Sequence, residues 1–281
     1  MAVQAPADGG SAQMSETLLT AEKLEVVYHH AITAIQGISL TIESGQIVAI
    51  LGTNGAGKST TLRALSGFLG IDNARVTEGH IVFKGQHIEN RPPNEVTRLG
   101  IVLVPEREKV FPNLTVADNL SAPFAPAMSK ADRKAREEQV YSFFPRLGDL
   151  RARIGGLLSG GERQMLALAS ALMCKPQLLL VDELSLGLAP VIVEDLMQRL
   201  VQIRGDLGIT IVIVEQSAAV ALEIADYGYV LENGRVVLDG ASAKLKEHGD
   251  IQEFYLGQSG GAERRNYRNV KQYRRSRRWY G

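Results

Sequence analysis

The 281-residue chain carries 31 Lys and Arg against 31 Asp and Glu, is 45% hydrophobic and 22% charged, and has one cysteine, Cys174. That balance fits an ordinary globular domain and excludes an internal disulfide framework. No apolar run approaches the roughly 20 residues that span a bilayer, and no cationic start leads into an apolar core, so a secretory signal is not expected. Neutrality hides an asymmetry: from Ala262 onward eight basic residues face only Glu263, which leaves the rest of the chain acidic.

Residues 1–20 are rich in Ala, Gly, Ser and Gln and are expected to be disordered. Leu24 to Tyr28 and Ile38 to Ile42 read as two strands, with Glu43-Ser44-Gly45 turning into a third. Tyr28, about thirty residues before Lys58, either folds back to stack on an adenine or packs as a strand aromatic.

Ile47 to Leu51 is a short apolar run of the kind a buried parallel strand needs. It leads into Gly52-Thr53-Asn54-Gly55-Ala56-Gly57-Lys58-Ser59-Thr60, which satisfies G-x-x-x-x-G-K-[ST]. Glycines there let backbone N–H groups curl around phosphate oxygens. The helix expected to start near Lys58 adds its N-terminal partial charge. Lys58 supplies a full charge to the β- and γ-phosphates, and the Ser59 hydroxyl can ligate Mg²⁺. Leu62, Leu65 and Leu69 follow at helical spacing, with Gly67 and Gly70 as stops.

Gly79 to Lys84 reads as a strand, and Gly100 to Val104 as a buried strand that stops at Pro105. A charged loop, Glu106 to Pro112, and a short helix capped by Thr115 come next. From about 121 to 160 the character changes to a helical insertion. Ser129 and Asp132 open a charged helix to Phe144, and Pro145 ends it.

Leu158-Ser159-Gly160-Gly161-Glu162-Arg163-Gln164 opens a longer helix to Cys174. Ser159 and Glu162 fit a capping box, yet each glycine in a first turn costs up to about 1 kcal/mol. Bare N–H groups that approach an anion would explain both glycines. Leu178 to Val181 is a buried strand ending in Asp182-Glu183. Beside a phosphate loop, the first carboxylate can hold Mg²⁺ and the second can deprotonate a water; standing alone, the pair reads as a solvated strand end. Thr210 to Val214 is a further strand running into Glu215-Gln216, and Tyr229 to Val237 an Asn-Gly hairpin. The order predicts an α/β fold: a phosphate-loop parallel-sheet core, an antiparallel β subdomain and an inserted helical subdomain.

With these motifs in this order, the chain resembles the ATP-binding subunits of ABC transporters over about residues 20 to 257. The motifs are the loop 52–60, the signature Leu158 to Glu162, and the strand Leu179 to Glu183. Three further stretches resemble the shorter-type ATPase of branched-chain (hydrophobic) amino-acid importers: Val104-Pro105-Glu106 with Val110 to Val116, Glu183 to Pro190, and Val214-Glu215-Gln216. The resemblance implies ATP and Mg²⁺ as cofactors. Tyr28 would stack on adenine, Gly52 to Thr60 would hold phosphates, and Ser59 and Asp182 would meet the metal. Glu183 would be the general base, and Ser159, Gly160, Gly161 and Glu162 would complete the ATP site of a partner subunit. Two transmembrane permeases, a second ATPase (a different chain or another copy) and, indirectly, a periplasmic binding protein would be the partners, at the cytoplasmic face of the inner membrane.

Three positions depart from the general family pattern. Glu106 stands where a glutamine usually meets Mg²⁺, Gln216 where a histidine meets the γ-phosphate, and Ala189 where an aspartate is usual. They recur in the importer subgroup. A role for urea or short amides, a soluble ATPase acting on nucleic acid or ribosomes, and a regulatory subunit with little turnover are the competing readings. The tail 258–281 lies outside the resemblance; its arginines and aromatics suit a solvated extension, a contact with anionic lipid or one with nucleic acid.

Overall fold

The computed structural model describes residues 16–107, 109–123 and 128–254. The basic tail and residues 1–15 of the N-terminal stretch expected to be disordered lie outside them. Chain order begins with β1 (Thr17–Tyr28), β2 (Ile32–Glu43), β3 (Ile47–Gly52), α1 (Lys58–Ser66), β4 (Ala74–Phe83), β5 (Gln86–His87), α2 (Pro93–Arg98) and β6 (Ile101–Val104). A helical stretch follows: α3 (Val116–Ser121), α4 (Lys130–Phe143), α5 (Pro145–Asp149) and α6 (Gly160–Met173). The remainder is β7 (Leu178–Asp182), α7 (Pro190–Leu207), β8 (Thr210–Glu215), α8 (Ala218–Ile224), β9 (Tyr227–Glu232), β10 (Arg235–Ala241), α9 (Ser242–Glu247) and α10 (Gly249–Phe254).

Two sheets result. An antiparallel sheet has the order β2-β1-β4-β5, and a six-stranded sheet the order β10-β9-β3-β8-β7-β6. In the second, β9, β3, β8, β7 and β6 run parallel and only the β9–β10 hairpin is antiparallel. Strand alternation divides the interior in two. Ile47, Ala49 and Leu51 of β3, Leu179 and Val181 of β7, and Ile211 and Ile213 of β8 face one core, shared with α3 to α8. Val48, Ile50, Leu178, Leu180, Val212 and Val214 face the other, packed on α1 and the antiparallel sheet. A parallel sheet covered on both sides needs the continuous apolar strands seen in the sequence.

The antiparallel sheet is larger than the sequence pattern predicts. Thr17 to Thr20 belong to β1 rather than to a disordered segment, because Leu18 and Leu19 are buried. Both β1 and β2 are twelve residues long. Register shifts between Ala21 and Leu24 and again beyond Leu24 break the alternation on which a strand reading depends. Pro145 does not simply end a helix. It occupies the first turn of α5, where its missing N–H is harmless. Val140, Tyr141 and Phe143 of α4, with Phe144 just after it, are buried in the core shared with α6.

Candidate active site

β3 delivers the chain to Gly52, and α1 restarts it at Lys58 with Gly57 as N-cap at φ 103°. A Cβ on Gly57 would sit 3.2 Å from the Ala34 carbonyl oxygen, so space and backbone conformation both ask for glycine. No side chain caps α1. Its first-turn N–H groups therefore stay available to an anion.

Lys58 is only 4% exposed. Its ammonium donates to the Gly52 carbonyl at 2.9 Å and the Thr53 carbonyl at 3.4 Å, and lies 3.4 Å from Glu183 Oε1. Its three donors thus face two loop carbonyls and the Glu183 carboxylate, which hold the charge over the loop. Ser59, next in the same turn, donates from Oγ to Asp182 Oδ1 at 3.1 Å. Asp182 closes β7 and is 5% exposed. Burial pushes its carboxyl up to about 6, and repulsion from Glu183 and Glu106 adds to this, against the Ser59 hydrogen bond.

Glu183 follows in the left-handed region, φ 45°, its N–H bonded to the Val214 carbonyl at 2.9 Å. That conformation is uncommon for a residue with a side chain and turns the carboxylate toward Lys58. An open cleft of about 620 Å³ is lined by the loop 54–60 with Glu106, Arg107, Glu183, Leu186 and Gln216. Tyr28, half-buried at the end of β1, brings its hydroxyl to 3.3 Å from Thr60 Oγ1. The ring therefore stands beside the phosphate loop while it also packs on the core.

The structure does not bring the signature segment into this cleft. Ser159 to Glu162 open α6 at a second groove, of about 420 Å³, where Gly160 is joined by Arg163, Gln164 and Leu188. Glu106, Arg107 and Leu186 wall both spaces. The capping box is complete: Glu162 N donates to Ser159 Oγ at 3.3 Å, and Ser159 N to Glu162 Oε2 at 2.9 Å. The Ser159 backbone N–H is the main cause holding the Glu162 carboxyl below its ordinary value, with help from Arg146, whose Nε is 3.0 Å away. The glycines also have a packing reason that spacing alone does not reveal. A Cβ on Gly160 would meet Leu188 Cδ2 at 3.1 Å, and one on Gly161 would meet Ile192 Cγ2 at 2.8 Å.

One buried acid escapes the motif reading. Glu215 at the end of β8 is 1% exposed. Its carboxylate accepts from Ser185 N at 3.0 Å and Ser185 Oγ at 2.5 Å. Burial, above all, raises its pKa. Its place in the stretch Val214-Glu215-Gln216 was a signal in the sequence, but nothing there pointed to the contact with Ser185.

Among the described residues no three His, Cys, Asp or Glu side chains converge as a metal cage. Mg²⁺ needs none, since it keeps waters and takes phosphate oxygens beside one or two protein oxygens. The Ser59 hydroxyl and the Asp182 carboxylate are donors of the right hardness, placed together at the foot of the phosphate loop. Uncapped helix amides, a buried lysine and paired oxygen donors define a phosphate-loop nucleotide hydrolase. Residues 35–185 match the family described as ABC transporter. The chain belongs to that family, as an ATP-binding, ATP-hydrolysing subunit coupled to transmembrane transport.

Relatives agree along nearly their whole length. The high-affinity branched-chain amino acid transport ATP-binding protein BraG of Pseudomonas aeruginosa is 40% identical over 82% of this chain and 96% of its own. A probable branched-chain amino acid transport ATP-binding protein, LivF of Archaeoglobus fulgidus, is 39% identical over 78% and 91%. The lipopolysaccharide export system ATP-binding protein LptB of Acidithiobacillus ferridurans is 32% identical over 87% and 98%. A crystal structure of an ATP-binding cassette of an ABC transporter in its ADP conformation superposes with TM-score 0.74 at 26% identity, covering 87% of this chain and all of the other.

Proposed function

We propose that the chain energises an importer of branched-chain or other hydrophobic amino acids from the cytoplasmic face of the membrane. The observation that carries an ATP-driven role is that Lys58, Ser59 and Glu183 line one cleft and Asp182 is bonded to Ser59 beneath it. Identity to BraG and LivF supports the cargo. None of the described helices is long and apolar enough to cross a membrane, so two permease subunits would supply the path. The match to a lipopolysaccharide export ATPase supports a second reading, in which the same cassette serves another cargo; urea and short amides are further importer cargoes.

ATP supplies the phosphoryl group passed to water, and Mg²⁺ neutralises charge on its oxygens. The chain's own residues do the positioning. Gly52 to Thr60 hold the phosphates, with Lys58 as the fixed charge. Ser59, Asp182 and Glu106 would hold the metal. Glu183 takes the proton of the attacking water, and Gln216, at the end of the neighbouring strand, donates an amide hydrogen bond. Tyr28 stacks on the base. Ser159 to Glu162, away from the cleft in their own chain, serve the cleft of a second ATPase subunit, so that two subunits sandwich two nucleotides head to tail. The ATPase domain starts at Thr17, where β1 begins, and extends to about residue 257, with the inserted helices as the permease-facing part; the basic tail is a solvated extension or a contact with anionic lipid.

Affinity capture of the tagged chain from detergent-solubilised membranes tests this. Two polytopic permeases and a second ATPase subunit are expected, together with loss of labelled leucine uptake in a deletion strain. Recovery of ribosomal proteins without a permease would sink the proposal. Recovery of lipopolysaccharide-export components would favour the second reading.

A further inference from the structure

The peptide group between Leu184 and Ser185 is gripped at both ends. Its carbonyl oxygen accepts from Gln164 Nε2 at 3.0 Å, and its N–H donates to Glu215 Oε1 at 3.0 Å. Gln164 belongs to α6, in the turn after the signature glycines; Glu215 closes β8, one residue before Gln216. Both side chains are buried, 5% and 1% exposed. The gripped peptide lies one peptide bond beyond Glu183, whose φ of 45° has to be held by its surroundings.

Each arm is itself fixed. Lys109 Nζ donates to Gln164 Oε1 at 2.6 Å, which leaves the amide nitrogen as the only end able to face the Leu184 carbonyl. Lys109 is half-buried, and that burial lowers its pKa. Ser185 Oγ donates to the second Glu215 oxygen at 2.5 Å, so the carboxylate is bound in two places and cannot rotate away. A hydrogen-bonded line thus runs from Lys109 in the loop after β6, through α6, across the chain that follows Glu183, to the strand that carries Gln216.

We propose that Gln164 and Glu215 are positioning residues that clamp the Leu184–Ser185 peptide, set Glu183 and Gln216 at their working separation, and tie the signature helix to the cleft of the same subunit. The proposal rests on the reading of Glu183 as general base. Neither residue lines the phosphate cleft, so neither is expected to bind nucleotide. Displacement of Glu183 by about 1 Å is enough for a large loss of rate.

The test measures kcat, KM and nucleotide Kd for the full-length chain carrying Gln164→Met, Glu215→Gln, Ser185→Ala and the double Gln164→Met/Glu215→Gln. Glu183→Gln is the control. Both single clamp variants should lose about tenfold or more in kcat while ATP affinity stays within about twofold. Ser185→Ala, which keeps the backbone N–H bond, should lose much less. The double variant should cost less than the product of the two singles, because one peptide is released only once. Hydrogen exchange in the segment 183–188 should quicken in both singles with the melting temperature nearly unchanged. Full activity in either single variant, a fall in ATP affinity that parallels kcat, or multiplicative losses in the double would overturn the clamp. A Glu183→Gln chain as fast as the parent would overturn the catalytic reading and the clamp's purpose with it; an inactive Glu183→Gln beside fully active clamp variants overturns the clamp alone.

Discussion

Ser59 and Asp182, 123 positions apart, meet through a 3.1 Å hydrogen bond in which the hydroxyl donates to Oδ1. The bond joins the first turn of α1 to the end of β7, two elements that are packed in the fold because β3 and β7 both pair with β8. It also gives Asp182 its one neutral partner against the negative Glu183 and Glu106 nearby. If this pair holds Mg²⁺, Ser59→Ala should weaken metal use more than nucleotide binding. A fall of about tenfold in hydrolysis at limiting Mg²⁺, partly recovered at high Mg²⁺, is expected, in the range of metal-site lesions. A Mg²⁺ titration of the ATPase rate checks it; an unchanged titration curve would remove Ser59 from the site.

Lys58 and Glu183 form the second cross-site contact, 3.4 Å apart with Lys58 buried. Changing each partner should have opposite signatures. Glu183→Gln should lower kcat by about 10² or more with ATP affinity kept, as loss of a general base does. Lys58→Ala should raise the Kd for ATP at least about tenfold, since a charge-assisted phosphate contact is lost. Equilibrium binding of a fluorescent ATP analogue, read beside single-turnover hydrolysis, separates the two.

How much of this was legible in the sequence depends on range. The loop 52–60 and the ends of β7 and β8 are short motifs whose roles follow from residue type, and their flanking strands are apolar enough to announce themselves. The long antiparallel strands were truncated in that reading, because bulges at Ala21 to Leu24 interrupt the period on which it rests. Glu215 and Gln164 stand inside motif stretches, but as letters they carry no role of their own. Their meaning lies in contacts with the peptide after Glu183, 30 and 20 residues away, and no local pattern encodes that. Gly161 was noticed for its cost in a helix, but its neighbour Ile192 could not be seen.

That neighbour separates two explanations of the signature glycines. A Cβ on Gly161 would lie 2.8 Å from Ile192 Cγ2. Gly161→Ala should therefore destabilise the fold by about 1–3 kcal/mol, the range for overpacking a tight contact. Adding Ile192→Ala makes room and should return most of the lost stability in a denaturant melt. If an anion from a second subunit must also approach the bare backbone, the double variant will remain impaired in hydrolysis. Full recovery of both stability and rate would leave packing as the sole reason for the glycine.

Glu162 offers a stability test with a defined pH direction. Its carboxylate completes the capping box on α6 and pairs with Arg146, and these contacts hold its pKa below the ordinary 4.5 in the folded chain. A depressed carboxyl binds fewer protons folded than unfolded. Its contribution is therefore complete above the unfolded value near 4.5 and is lost as the pH falls through the lower folded value. Glu162→Gln should cost about 1 kcal/mol at neutral pH, the scale of a helix cap. The gap between parent and variant should hold steady from pH 7 down to about 5 and shrink below 4.5. Urea melts of both chains across that range measure it. A gap that stays constant into strong acid would mean that the charge of Glu162 contributes nothing to the stability of α6, and no gap at any pH would mean that the amide and the carboxylate are equivalent caps.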